Sequence, residues 1–286
     1  MKVQLKAVLK NAEIIFTEKN IPDPKNEAFY LLGKHIPCTR GEILLGSQRE
    51  VEPEVIDAYM SDVSKRVSGM PLQYLIGKWE FYSLEFITLP GVLIPRSDTE
   101  ILIDYARPIL EKMQKPRILD LCCGSGCIGL TLAKLIPTLD VTLFDISATA
   151  IDATKRNADL HKVSDRCHIV QGDVLLAGTN YFPDNMFDMI LSNPPYIKSG
   201  DMDTLSPEVK AEPSLALDGG VDGLTFYRAI AEGWRSPLKS GGRLILEAGF
   251  DTTKDVADLL TEYPFTNIAT HKDLAQNDRM ITSIKE

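Results

Sequence analysis

Between Arg117 and Ala248, five short apolar runs alternate with longer stretches of helical period: "RILDL" (117–121), "VTLFDI" (141–146), "HIVQGD" (168–173), "FDMILSN" (187–193) and "GRLILEA" (242–248). Such runs are too short for helices, and only a strand covered on both faces tolerates near-continuous apolar sequence. Strand and helix alternating at this spacing predict a parallel sheet with helices on both sides. The intervening helices are read at Ile128–Ile136, from a cap at Ser147 to Leu160, and around Phe226–Trp234. The closing segments "FTNIATHKD" and "RMITSIKE" suit a terminal antiparallel pair.

The first seventy residues have a different period. Leu5, Val8, Leu9, Ala12, Ile15 and Phe16 share one helical face, and Ala28, Leu31, Leu32 and His35 repeat the pattern after Pro24. Thr39 and Glu42 have capping-box spacing, and Pro53 opens a helix carrying Val55, Tyr59 and Val63. From Trp79, "WEFYSLEFITLP" reads as a hairpin closed by Pro90 and Gly91. The organisation expected is a helical domain over 1–72, a β-hairpin linker over 73–95, and an α/β domain over 96–286.

Composition excludes several classes. With 286 residues, 44% hydrophobic and 25% charged, the chain can bury one large core or two ordinary ones. Net charge is −1 over residues 1–90 and −8 over 91–286, which leaves no basic surface for gripping phosphate backbones; nucleic acid is not expected as a partner. Lys6, Lys10, Asn11 and Glu13 break the N-terminal run, and no stretch reaches the length of a membrane span, so a cytoplasmic location without membrane attachment is expected. The 5 cysteines form no CxxC pair, which suits reduced thiols and no metal site.

The loop "DLCCGSGCIG" (120–129) follows the first of the five strands and opens a helix, so its backbone N–H groups can face a bound ligand. Gly124, Gly126 and Gly129 spell the dinucleotide fingerprint, and Asp145 ends the next strand where an acid would hold ribose hydroxyls. Asp173 recurs at the corresponding end of the third strand. The loop alone leaves NAD and S-adenosylmethionine level.

"NPPY" (193–196) separates them. Two consecutive prolines end a ladder and fix an extended shape, which frees the carbonyls of Asn193 and Pro194. A primary amide there can donate one N–H to the Asn193 side-chain oxygen and the other to the Pro194 carbonyl, while the Tyr196 ring stacks on its plane. Both hydrogens are then pinned and the nitrogen lone pair is aimed, with no charged base needed. Hydride transfer has no use for such a corner, so methyl transfer is favoured.

At these residues the chain resembles S-adenosylmethionine-dependent methyltransferases acting on planar amino or amide nitrogens. Together with "PLQYLIGKWEF", "GVLIPRSDTE", "DGLTFYRAI" and "DLAQNDR", it resembles more specifically the glutamine methyltransferases that modify peptide chain release factors. The resemblance implies a Rossmann-like methyltransferase sheet preceded by a helical domain and a hairpin. It implies S-adenosyl-L-methionine as cofactor, and as substrate the Gly-Gly-Gln glutamine of a class-one release factor, bound by a monomer. Glutamine methylation of a ribosomal protein, or methylation of the exocyclic amine of DNA adenine, would use the same pocket logic. Carried over, Asn193, Pro194, Pro195 and Tyr196 would bind the amide, with Asn193, Pro194 and Tyr196 catalytic. Cys122, Cys123, Gly124, Ser125, Gly126, Asp145, Asp173, Val174 and Asn193 would contact the cofactor. "IPRSDTE", with Arg96, Asp98, Thr99 and Glu100, would lid it. The chain departs from the family pattern at Cys122, where glycine is usual, and at Ser97, where proline is usual. Because a small pocket cannot select one glutamine by its amide alone, the helical domain is expected to recognise the protein substrate.

Overall fold

A computed structural model describes residues 2–44 and 49–286; residues 1 and 45–48, inside the helical domain expected over 1–72, lie outside it. The chain divides into two compact units, one of residues 1–78 with 206–211 and one of residues 79–205 with 212–286. The division falls at Lys78/Trp79, inside the segment read as a linker. The stretch Ser206–Ala211 lies inside the range read as one α/β domain.

The smaller unit holds β1 (Val3–Gln4), α1 (Leu5–Glu18), α2 (Pro24–His35), α3 (Arg40–Leu44), β2 (Glu50–Val51), α4 (Pro53–Val67) and α5 (Leu72–Ile76). The stripes read from the sequence become its core: Leu5, Val8, Leu9, Ala12 and Phe16 of α1, Ala28, Leu31 and Leu32 of α2, and Tyr59 and Val63 of α4 are buried. The Tyr59 hydroxyl donates to the Ala28 carbonyl at 2.9 Å, which ties α4 to α2. Thr39 and Glu42 form the capping box, with the Thr39 N–H donating to Glu42 Oε2 at 2.6 Å and the Glu42 N–H to Thr39 Oγ1 at 3.2 Å. Buried Arg66 donates to both oxygens of Glu27, at 2.5 and 3.0 Å, and also to Glu208. That third bond spans 142 residues of sequence and is why 206–211 belongs with these helices.

The larger unit begins at Trp79, within the hairpin of β3 (Lys78–Phe81) and β4 (Leu84–Ile87). Its turn residues Tyr82 and Ser83 both have positive φ, 51° and 59°, as a two-residue turn matching strand twist requires. After α6 (Glu100–Leu110) come β5 (Arg117–Leu121), α7 (Cys127–Leu135), β6 (Asp140–Asp145), α8 (Ala148–His161), β7 (Cys167–Gln171) and β8 (Phe187–Ser192). The short α9 (Pro207–Lys210) lies in the smaller unit, and α10 (Thr225–Gly233), β9 (Leu238–Glu247), α11 (Thr253–Leu260), β10 (Phe265–Lys272) and β11 (Asp278–Lys285) complete the larger one. The 7-stranded sheet has the order β10-β11-β9-β8-β5-β6-β7. Strands β5 to β9 are parallel, and β11 runs antiparallel to both β9 and β10.

Alternate residues of each strand feed opposite faces. Ile118, Met189, Leu191 and Ile245 pack with Leu102, Ala106, Leu130 and Leu132 of α6 and α7. Leu119, Leu121, Ile190, Leu244 and Leu246 pack with Tyr227, Ile230 and Val256 of α10 and α11 and with Trp234. The result places the carboxyl ends of β5, β6 and β8 side by side, where an open α/β sheet binds its ligands. Among the described residues no helix is long and apolar enough to cross a membrane.

Candidate functional site

A cleft opens at those carboxyl ends. Its lining includes Cys122, Cys123, Gly124 and Ser125 after β5, Phe144 and Asp145 at the end of β6, Asp173 and Val174 after β7, and Asn193 and Pro195 after β8. Its other walls come from Gly91–Arg96 with Thr99, and from Pro213, Leu215, Ala216 and Phe226.

The glycine loop is held from inside. The Gly124 N–H donates to Asp145 Oδ2 and the Ser147 N–H to Asp145 Oδ1, both at 2.9 Å, so Asp145 braces the loop and caps the chain entering α8. Each oxygen keeps a lone pair for a ligand hydroxyl. Burial raises the Asp145 carboxyl, and it pushes fully buried Asp120 up to about 7 although the Gly129 N–H bonds it at 2.9 Å. The three glycines differ in purpose. A Cβ on Gly124 would meet only Val92, at 4.0 Å, so that position faces open cleft. Gly126 does not line the cleft, contrary to expectation; with a φ of 78°, and with an added Cβ set to lie 2.8 Å from Leu130 and 3.0 Å from Thr154, it is a turn and packing residue. Gly129 lets α7 approach the sheet, since a Cβ there would lie 2.9 Å from Val141. Cys122 takes φ 56°, a left-handed conformation that costs a residue with a Cβ about 1–2 kcal/mol.

Beyond β8 the chain behaves as its prolines dictate. Pro194 and Pro195 are buried, while Asn193 and Tyr196 are half-buried. Asn193 Nδ2 donates to Thr99 Oγ1 at 3.2 Å, and among the described residues no hydrogen bond reaches Asn193 Oδ1 or the Pro194 carbonyl. Pro194 and Tyr196 are not part of the lining. A Cβ on Gly249 would lie 3.4 Å from the Tyr196 ring, and burial, the largest cause, raises the Tyr196 hydroxyl to about 12. The next residues are clamped by the loop 217–223: the Ile197 N–H donates to the Leu217 carbonyl at 2.9 Å, and the Gly219 N–H to the Ile197 carbonyl at 2.8 Å.

The "IPRSDTE" segment divides. Arg96 and Thr99 line the cleft, but Asp98 pairs with Arg279 at 3.4 Å, and Glu100 Oε1 accepts the Tyr82 N–H at 2.8 Å, which turns it toward the hairpin. Two buried acids were not singled out from sequence. Glu212 accepts the Ile94 N–H at 3.0 Å and bonds Arg96, so it fixes that wall of the cleft. Glu247 ends β9, one residue beyond the pairing of Leu246 with Ser192, and burial raises its carboxyl to about 7. A charged residue interrupting the apolar run "LILEAG" at its carboxyl end was the available signal for Glu247.

A seven-stranded, mostly parallel sheet with a cleft across its carboxyl ends, a glycine loop after the first strand and an acid after the second defines a methyltransferase-type α/β protein. The methyltransferase small domain model matches residues 84–210, and the PrmC N-terminal domain model matches residues 7–77. A solved T. thermophilus 16S rRNA N2 G1207 methyltransferase in complex with AdoMet and guanosine superposes with a TM-score of 0.52 at 18% identity, over 73% of this chain and 50% of that one. Relatives over the whole length narrow the class. The release factor glutamine methyltransferase of Clostridium botulinum is 35% identical, covering 98% of this chain and 99% of its own. That of Chlorobaculum tepidum is 35% identical over 98% and 96%. The chain belongs to the release factor glutamine methyltransferase family.

Proposed function

We propose that this protein methylates the side-chain amide nitrogen of the glutamine in the Gly-Gly-Gln motif of class-one release factors, with S-adenosyl-L-methionine as methyl donor. The observation that carries the reading is the pair of uncommitted acceptors, Asn193 Oδ1 and the Pro194 carbonyl, beside a cleft lined by the glycine loop and Asp145. The cleft suits that cofactor chemically. Gly124 leaves room where a Cβ would intrude, Asp145 offers acceptors for ribose hydroxyls, and Val92, Val174 and Phe226 offer apolar surface for a base.

S-adenosylmethionine held there by the glycine loop and Asp145 would supply an electrophilic methyl group on positive sulfur, with the carbon–sulfur electron pair left on sulfur and the proton given up by the amide nitrogen passing to solvent water. The remaining work falls to the chain. Asn193 Oδ1 and the Pro194 carbonyl each accept one N–H, which withdraws the nitrogen lone pair from conjugation and orients it. The prolines hold these acceptors without rearrangement, because neither ring can rotate about φ.

The helical unit supplies recognition of the folded release factor, on the ground that the amide corner reads only a few atoms. Incubating the enzyme with labelled S-adenosylmethionine and whole-cell protein, followed by mass spectrometry, tests the reading. Label on the Gly-Gly-Gln peptide supports it; label on a ribosomal protein or on nucleic acid alone refutes it.

A further inference from the structure

Folding leaves many apolar side chains half-covered, but a large one left almost wholly in water on a braced turn serves no core. Among the described residues the three most exposed large apolar side chains are Leu274 (102%), Val221 (90%) and Phe250 (67%). They are far apart in sequence, yet the fold carries their loops to the carboxyl edge of the sheet, around NPPY.

Strand β8, which leads into NPPY, lies between β5 and β9. The glycine loop, Asp145 and Asp173 line the cleft over β5, β6 and β7, on one side of β8. On the other side, Phe250 follows the end of β9 by three residues, and Leu274 follows the end of β10 by two. Because β11 runs antiparallel to β9, with Met280 opposite Glu247, the turn that opens β11 projects past the same edge. Val221 belongs to the loop clamped to the NPPY chain itself: Ile197 bridges Asp218, and the Ser199 N–H donates to the Gly220 carbonyl at 2.9 Å.

Each loop is braced. The Gly249 carbonyl accepts from the N–H groups of Thr252 and Thr253 at 2.9 and 3.1 Å, and a Cβ on Gly249 would lie 3.4 Å from the Tyr196 ring, so Phe250 leaves a fixed point beside that ring. In the β10–β11 turn the Asp273 N–H donates to the Asn277 carbonyl and the Asn277 N–H to Asp273 Oδ1, both at 2.9 Å, while Arg279 pairs with Asp273 at 3.3 Å. The three side chains are therefore presented to solvent by ordered backbone.

We propose that Val221, Phe250 and Leu274 form a docking surface for the release-factor chain immediately flanking the Gly-Gly-Gln glutamine, seated through its apolar side chains. The inference rests on the proposed glutamine methylation and extends it from the amide to the surrounding peptide. A glutamine placed in the corner brings its own backbone with it. The cofactor takes the β5–β7 side, so that backbone must leave across the β9–β11 side, over these loops. Adjacent strands are about 4.8 Å apart, which puts β9 and β11 roughly 5 and 10 Å from β8, a reach of about three extended residues. The two glycines have no side chains to be read, and selection within that reach falls to the residues around them. An apolar surface continuous with the substrate corner can make it.

The test uses the full chain with Val221→Ser, Phe250→Ser and Leu274→Ser, singly and together, and with Leu160→Ser as control, an exposed apolar residue near the far end of α8. Affinity for intact class-one release factor is measured with the demethylated cofactor product bound, beside KM and kcat for its methylation and the affinity for S-adenosylmethionine. Phe250→Ser and Leu274→Ser should each raise the release-factor Kd and KM by about tenfold, as loss of an apolar anchor does, and the triple variant by on the order of a hundredfold. The kcat at saturating release factor and the cofactor affinity should stay at wild-type values, and Leu160→Ser should change nothing. A triple variant with the wild-type Kd and KM would overturn the proposal. So would a loss confined to kcat or to cofactor affinity, which would place these residues in the reaction site instead. A wild-type dimer that the triple substitution dissociates, with release-factor Kd unchanged, would assign the surface to a second copy of the chain. A wild-type enzyme that binds the release factor but transfers no methyl group to its Gly-Gly-Gln glutamine would refute the proposed function, and the Kd values would still decide the surface. A wild-type enzyme that does not bind the release factor would refute both.

Discussion

Replacing Gly219 by alanine tests whether the amide corner depends on placement to a fraction of an ångström. Gly219 lies directly behind the NPPY backbone, and a Cβ there would sit 2.7 Å from Tyr196 Cα, 2.8 Å from Tyr196 C and 2.9 Å from the Pro195 carbonyl oxygen. All three are main-chain atoms, so no side chain can swing aside. Gly219 cannot retreat either, because its N–H donates to Ile197 at 2.8 Å and its carbonyl accepts from Thr225 at 3.1 Å. Restoring ordinary contact from 2.7 Å to 3.4 Å requires a displacement of about 0.7 Å, delivered to Pro195 and Tyr196, which follow the acceptors Asn193 and Pro194 directly in the chain. A misplacement approaching 1 Å costs on the order of a hundredfold in an oriented reaction. Single-turnover methylation of a Gly-Gly-Gln protein should therefore fall by about that factor, while cofactor titration gives the wild-type affinity. Gly200→Ala, at a glycine whose added Cβ meets nothing within 4 Å, is the control and should be silent. A folded Gly219→Ala enzyme that turns over within a few-fold of wild type would refute the reasoning.

Other consequences follow from single residues. Cys122→Gly relieves a left-handed residue at φ 56° and should stabilise the fold by about 1 kcal/mol in denaturant titration, with cofactor affinity unchanged or improved; a clear loss of affinity would show that the thiol packs against the ligand. Arg66→Ala strands Glu27 and Glu208 and should cost about 3–5 kcal/mol in the smaller unit, seen as early loss of its helical signal on heating, with cofactor binding by the larger unit retained. Burial raises Asp120 and Glu247 from ordinary carboxyl values to about 7, so the protonated forms favour folding. Their contribution is full below about pH 4 and is lost as the pH rises through about 7, by roughly 3–4 kcal/mol for each group. Asp120→Asn should flatten the pH dependence of unfolding measured without cofactor over that window, and an unchanged slope would contradict it.

Much of this architecture is written locally. The five strands and their helices follow from apolar runs and period, the hairpin from its aromatic and β-branched flanks, and the cap at Ser147 from residue type, since its hydroxyl accepts the Ala150 N–H at 3.3 Å. The features that sequence did not disclose are contacts over long separations. Arg66 to Glu208 spans 142 residues and Glu212 to Ile94 spans 118, and no periodic signal reports such a pair. The glycine loop shows the same limit at one position. Its spacing suggested a ligand-facing role for Gly126, whereas the side chains of Leu130 and Thr154, one turn and one helix away, make it a packing glycine. By sequence Thr99 belongs to a lid segment, and nothing local reveals that it meets Asn193.

The most direct test of the account is the mass of the Gly-Gly-Gln peptide of an intact class-one release factor after one turnover, compared between wild-type enzyme and Asn193→Ala at saturating S-adenosylmethionine. The account predicts one added methyl group on the glutamine with wild type, and a rate lower by about a hundredfold or more with Asn193→Ala at unchanged cofactor affinity. An Asn193→Ala enzyme that methylates this glutamine at most of the wild-type rate would contradict the account, and leave NPPY as a turn.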